Sequence, residues 1–527
     1  MTSFHTIGRS LAFARHGMCA TSHPLGVLAA LDVLRSGGNA VDAAVTAAAV
    51  LGVVEPQMTG IGGDCFAMIS KPGEPVAGLN GSGRAAMAAD RDWLAGSGLD
   101  DIGADSIHAV TVPGAVDAWD RLLRDHGTIS LGQALGPAID HATSGWVVTP
   151  RVAFDWAQDA GMLARDAGAA RHYLVGGKTP AAGDVYFSRA LGATLQMIAD
   201  DGRDAFYRGT IADDIIATLR SRGGLLAKGD FAATAASAVT PVSCDYGGHE
   251  VLELPPNGQG ATALLIFNIL SRFDLSKFAP GDPGQLHLEI EAVRLAREYG
   301  ARVIADPDAT AVPVAEMLSA ETADQLAGRI DLKRRRDEPD FDGPGNADTV
   351  YITVVDKNRM AVSFINSIFR HFGSGIATEQ TGIMLHNRGS GFCADPDRPN
   401  CIAPGKRPFH TIIPAMVRRD GRTVMSFGVM GGSYQPAGHA HVLTNMLDHG
   451  MDPQAAIDDP RVFGAAGRVD AEWGVPDETC ARLAAMGHRV ERTDNPLGGG
   501  QIIRIDWENG VLAGGSDARK DGMALGI

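Results

Sequence analysis

The chain is poor in the features that most often assign a protein at sight. Aromatic residues make up only 6% of its 527 positions. No stretch approaches the roughly 20 apolar residues that a membrane helix needs. The nearest run, Leu25 to Leu34, is broken by Asp32, and no apolar signal core follows Met1–Ser10. The expectation is a cytoplasmic protein with no membrane partner. Its 46 basic residues are outnumbered by 62 acidic ones, a net charge of −16, which argues against a nucleic-acid partner. Six dispersed cysteines (Cys19, Cys65, Cys244, Cys393, Cys401, Cys480) form no C-x-x-C pair. They read as reduced, mostly buried thiols, not as a disulfide framework or zinc site. The segment His287-Leu288-Glu289-Ile290-Glu291 lacks the H-E-x-x-H pattern and reads as a surface helix face. Gly60-Ile61-Gly62-Gly63-Asp64 lacks the Lys-Ser/Thr of a phosphate loop. No metal and no cofactor is implied.

Glycine is abundant, with 66 residues, and points to close backbone packing and many short turns. Leu25, Val27, Leu28, Leu31 and Leu34 predict a helix that stops at Gly37-Gly38-Asn39, and an alanine-rich helix follows from Ala40 to about Leu51. A loop from Glu55 to Asp64 leads to a strand, Cys65–Ser70; residues 108–230 read as mostly helical. Val251–Leu254 reads as a strand before a helix from Ala261 to about Leu270. The charged, glycine- and proline-rich stretch from Ser319 to Gly345, with Lys333-Arg334-Arg335-Arg336, is expected to be solvated. Beyond it Val350–Val355 and Met360–Ser367 read as a hairpin around Asp356–Arg359. Further strands are expected at Gly382–His386, Thr411–Arg418 and Thr423–Gly428, and helices at Gly438–Leu447 and Thr479–Met486. The mixture is α+β, helices covering sheets.

Thr349 stands where the loop Gly343–Asp348 enters a strand. A threonine hydroxyl is a weak nucleophile without an adjacent base. Cutting the Asp348–Thr349 bond would supply one, the α-amino group of Thr349 itself.

These elements, together with eight motifs in order, resemble the γ-glutamyltransferase family of N-terminal nucleophile (Ntn) hydrolases. The motifs are Gly37–Ala44; Gly60–Asp64; Val112-Pro113-Gly114; Asp348-Thr349; Phe372–Gly375; Lys406-Arg407-Pro408; Gly431-Gly432-Ser433; and Gly515–Arg519. The resemblance spans Gly17 to Gly526. It implies a four-layer αββα sandwich, made as one precursor and self-cut into a large fragment, 1–348, and a small one, 349–527, which stay associated. A homo-oligomer of such heterodimers is compatible with it. Thr349 falls at the nucleophile position and Ser367 at that of a supporting hydroxyl, which is threonine in better-known members. Gly431 and Gly432 match the pair whose amides stabilise the tetrahedral intermediate. The substrate is a small-molecule amide, cleaved through an acyl-enzyme.

The acyl-binding positions depart from the glutamyl-specific pattern. The arginine of that pattern is displaced to Arg84; its acid, which holds the α-amino group, aligns with Gly391. Its glutamine aligns with Arg388, its asparagine with Phe369, and its serine pair with His410-Thr411. If Arg84, Arg388 and His410 converge, they make a cationic pocket without a matching acid, suited to a carboxylate or an α-keto acid amide. The alternative for each is a salt bridge. The short connection from Cys393 to Gly405 leaves a pocket open to water and favours hydrolysis over transfer. Three readings follow: an amidohydrolase of altered acyl specificity, including oxamate-amidohydrolase-like or cephalosporin-acylase-like forms; a true γ-glutamyl hydrolase or transferase with a rearranged recognition set; and a non-catalytic binding protein on the same fold.

Overall fold

In the computed structural model, which describes residues 8–337, 349–465 and 467–527, two seven-stranded sheets lie face to face between layers of helices. Within these two sheets, the strands before residue 349 are β1 (Ala12–Ala14), β2 (Gly17–Thr21), β3 (Asp64–Ser70), β4 (Ala77–Gly81), β5 (Ser237–Val239), β6 (Val242–Tyr246) and β7 (His249–Glu253). Those after it are β8 (Val350–Asp356), β9 (Ala361–Ser367), β10 (Ala415–Arg419), β11 (Arg422–Met430), β12 (Gly499–Asp506), β13 (Val511–Ser516) and β14 (Met523–Gly526). One sheet runs β14-β2-β8-β9-β3-β4-β5 and the other β1-β13-β12-β11-β10-β7-β6. Phe66, Tyr351, Ile365, Met416, Met430 and Ile503 pack in the seam between them.

The first sheet is covered by helices α1 (Pro24–Arg35) and α2 (Ala40–Val54), the second by α3 (Gly260–Leu270), α4 (Pro283–Val303) and α5 (Gln435–Leu447). Every residue of α2 is buried, which its small side chains permit at close helix-to-sheet range. Its start is fixed by a reciprocal cap. Asn39 Oδ1 accepts from the amides of Val41 and Asp42, and Asp42 Oδ2 accepts from that of Asn39. This is the αββα sandwich that the motifs implied.

Three expectations are corrected. Gly382–His386 is not a strand; its one ladder contact is an isolated bridge between Ala377 and Met384, and Thr378 and Thr381 tie the segment together by side-chain bonds. The 287–291 segment is not a surface face, because α4 is enclosed by neighbouring helices and His287, Glu289 and Glu291 are buried. The basic run is only partly solvated: Arg336 is largely buried and pairs with Glu291 and Glu298. Positions 338–345 lie outside the described residues, as does Asp348.

Candidate active site

The β8–β9 hairpin builds the centre. Its register pairs Val350 with Asn366, so the next step outward sets Thr349 opposite Ser367. The two hydroxyls are 2.9 Å apart, and both residues are buried. Ser367 Oγ also accepts from the Phe369 amide at 2.9 Å. The glycine-rich loop after α2 wraps this end of the hairpin: Met58 and Gln57 carbonyls accept from the amides of Ile368 and Phe372. Phe369 and Phe372 take positive φ angles of 77° and 52°. For residues with a bulky Cβ this costs about 1–3 kcal/mol each, a strain held by the surrounding structure and typical of functional turns.

Phe369 lies beneath Arg388, whose guanidinium carbon is 4.0 Å from the ring centroid. Arg388 is fully buried; Nη1 donates to Thr411 Oγ1 at 2.8 Å and Nη2 to Ser367 Oγ at 3.4 Å. Its Nε has no hydrogen-bond partner among the described residues. Burial lowers its pKa to about 9, against the pull of Asp64, so it stays charged at neutral pH.

Asp64 is the hub behind Arg388. Its Oδ1 accepts from the Gly83 and Gly114 amides at 3.0 and 3.2 Å, and its Oδ2 lies 3.0 Å from His410 Nε2 and 3.5 Å from His386 Nδ1. Burial alone would raise its pKa, but the two histidines and Arg388 outweigh it and hold the carboxylate at about 2. Burial, with Arg388 adding to it, takes His410 down to about 3, so the ring is neutral. His410 rests on Phe66, 4.6 Å between centroids.

The cationic trio therefore does not form. Arg84 is spent on Asp306, Asp308 and the Gly405 carbonyl, at 3.3, 2.6 and 2.9 Å. It is a salt bridge, not part of a pocket with Arg388. His410 is a neutral donor to Asp64, and Asp64 is the acid that the sequence reading lacked. Thr411 contributes its hydroxyl to Arg388. Asp64, His386 and Phe369 are the residues that sequence reasoning left without a role. Asp64 carried a signal as the end of the Gly60–Asp64 motif, and Phe369 as the residue aligned with the asparagine of the glutamyl pattern; His386 carried none.

Gly431 and Gly432 form the turn between β11 and α5, with φ of 131° and 58°. An added Cβ at 431 would come within 2.9 Å of the Gly498 Cα, so the turn has no room for a side chain. Gln259 Nε2 ties this turn to the Arg388 side, donating to the carbonyls of Gly432 (2.9 Å) and Thr411 (2.7 Å). Gly431 opens onto a cleft of about 360 Å³ that is also lined by Gly498, Tyr434, Arg370 and Gly373.

Among the described residues, one cluster could ligate a cation by composition: His287, Glu291 and His488, with ligand atoms within 4.8 Å of one another. These atoms already serve one another and their neighbours. His287 Nδ1 and His488 Nε2 share a 2.7 Å hydrogen bond, and Glu291 faces Arg294 and Arg336.

The profile of the family described as gamma-glutamyltranspeptidase matches residues 27–527. The chain is 38% identical to the glutathione hydrolase-like YwrD proenzyme of Bacillus subtilis (strain 168), over 97% of this chain and 98% of that one. It is 35% identical to the oxamate amidohydrolase proenzyme of Klebsiella pneumoniae, with the same coverage. The crystal structure of cephalosporin acylase from Bacillus halodurans superposes with a TM-score of 0.93 at 37% identity, covering 100% of this chain and 98% of that one. Layered fold, ordered motifs and full-length similarity agree: this chain belongs to the γ-glutamyltranspeptidase family and is an Ntn-hydrolase enzyme of the amidohydrolase kind.

Proposed function

We propose that Thr349 is the nucleophile, freed by self-cleavage after Asp348, and that the acyl group it accepts is short, carries a carboxylate and lacks an α-amino group. The observation that carries this reading is the contact of Ser367 with both the Thr349 hydroxyl and the buried Arg388 guanidinium. The α-amino group takes the proton of Thr349 Oγ1 as that oxygen attacks the amide carbon. The Gly431 and Gly432 amides receive the developing oxyanion. Collapse expels the amine, which leaves with a proton, and water then hydrolyses the ester.

Two features support the acyl preference. Arg388 offers a charged fork one hydroxyl away from the nucleophile. No acid can stand at position 391 to meet an α-ammonium, since any Cβ there collides with the Phe409 carbonyl. Relatives named oxamate amidohydrolase and cephalosporin acylase are in keeping with a specificity moved away from γ-glutamyl.

Purified protein should resolve on a denaturing gel into two fragments of about 36 and 19 kDa, in proportion to length, as nucleophile-freeing cleavage requires. Thr349→Ala should leave one intact chain without activity. Processed enzyme should turn over oxamate or glutaryl amides well ahead of γ-glutamyl-p-nitroanilide; the opposite order would refute the acyl preference. Product formed with glycylglycine present should be mainly the hydrolysis product.

A further inference from the structure

The two flanks of β8 differ. Ser367 occupies the β9 side of Thr349. Backbone alternation shows which side the Thr349 nitrogen faces. The Asp356 amide donates to Met360 on the β9 side, whereas the Tyr351 carbonyl accepts from Thr21 Oγ1 on the β2 side, so odd-numbered residues of β8 turn their polar groups toward β2. Carried two residues back from Tyr351, the same alternation directs the nitrogen of Thr349 to the β2 flank, away from Ser367. There β2 has ended at Thr21. The next residue, Ser22, is buried and donates its hydroxyl to the fully buried Glu55, the residue that closes α2 and starts the loop wrapped round the nucleophile hairpin.

We propose that Glu55 is the positioning partner of the α-amino group that Thr349 gains on cleavage, meeting it directly or through the Ser22 hydroxyl. The proposal rests on Thr349 being the nucleophile. Before the cut the nitrogen is an uncharged amide and needs no counter-group. Afterwards it is an amine in a dry site, and a cation there requires one.

The charged groups facing Glu55 are Lys520 and Asp521 from the loop before β14 and Asp155 from the helix Pro150–Gln158. Burial raises Glu55 to about 8, opposed by the Ser22 bond and Lys520 and reinforced by the two aspartates. An α-amino group ordinarily titrates at about 7.7–8.0. A buried carboxylate with raised proton affinity can take a proton from the ammonium nitrogen onto its oxygen, leaving the amine a free base without net loss of protons from the site.

The test measures the amine directly. Timed acetylation of the processed protein with acetic anhydride across pH, read by mass spectrometry on the peptide that begins at Thr349, gives the titration midpoint of that amine. Glu55→Gln should still self-cleave but lower the midpoint by about one unit, a tenfold loss of proton affinity. The acid limb of kcat/KM should move with it, and Glu55→Asp should restore most of the shift. A midpoint in Glu55→Gln within about 0.2 units of the parent, a difference too small for a lost charge partner, overturns the proposal. If Glu55→Gln does not fold, Ser22→Ala serves instead: removing the donor disfavours the Glu55 carboxylate, so the midpoint should fall, by less, and an unchanged value again overturns the idea. Failure of the parent protein to expose Thr349 as an N-terminus would instead sink the nucleophile assignment.

Discussion

The guanidinium carbon of Arg388 sits over the Phe369 ring, 4.0 Å from its centroid, with the ring held by a backbone in the left-handed region. The resemblance aligns both residues with substrate-binding amides of the glutamyl pattern. Here the two positions contact each other, and the result is one cation over an aromatic ring, next to the Ser367 hydroxyl that meets Thr349. Replacing Arg388 with lysine removes the planar fork and weakens the stacking. For an acyl donor bearing a carboxylate, kcat/KM should fall about 100-fold, largely through KM, the scale of losing a charge-assisted bidentate contact. An uncharged acetyl amide should change little. Equal losses on both substrates would rule out an anchoring role. Arg388→Met should also destabilise the fold by about 1–3 kcal/mol, since the Thr411 and Ser367 hydroxyls each lose a charged donor while Asp64 keeps its two amide donors and His410.

Ser367 holds the Thr349 hydroxyl on one side and the Phe369 amide on the other. Ser367→Ala should lower kcat by about 10- to 100-fold, as one lost hydrogen bond near a reacting oxygen corresponds to about 1.4–2.7 kcal/mol. Self-cleavage should slow in parallel, and pulse-chase of the precursor measures it. Ser367→Thr should retain both activities.

Gly431→Ala should cost about 100- to 1000-fold in kcat, with less effect on KM. A methyl at this φ and 2.9 Å from the Gly498 Cα must turn the amide away from the oxyanion. A variant with unchanged kcat would move the oxyanion donors elsewhere.

Two buried histidines shape stability against pH in opposite directions. His410 is held neutral, with its pKa taken down to about 3, whereas the unfolded chain takes up that proton at about 6.5. Its contribution is complete above about 6.5 and is lost as pH falls toward 3. For His441, burial would lower the pKa, but Glu289 and Asp459, at 2.9 and 3.0 Å, raise it to about 9. Its contribution is complete below about 6.5 and disappears as pH rises through 9. Melting temperature should therefore peak near pH 6.5, and His441→Gln should flatten only the alkaline limb.

The sequence was most legible where structure is local. The α1 stop at Gly37-Gly38-Asn39, the α2 cap and the β8–β9 hairpin all come from neighbours in the chain, and these alone bring Thr349 to Ser367. The electrostatics of the site were not legible, since Asp64, His386, Arg388 and His410 come from three distant stretches and no spacing links them. Arg84 misled for the same reason. Its partners Asp306 and Asp308 lie more than two hundred residues away, and nothing beside Arg84 announces them. The enclosed α4 face misled because its acids and its histidine look solvent-bound until the helices that cover them are in place.

The strand order of the sheet that Thr349 leads into has a consequence for a chain cut at that residue. Its first three strands come from the later, earlier and later parts of the chain in turn (β14, β2, β8), and β9 then pairs with β3. A cut before Thr349 thus leaves two polypeptides interlaced like fingers, joined by three backbone ladders in that sheet alone. Neither piece can be exchanged for a fresh copy without unzipping the whole sheet, so each catalyst keeps for life the partner with which it was born.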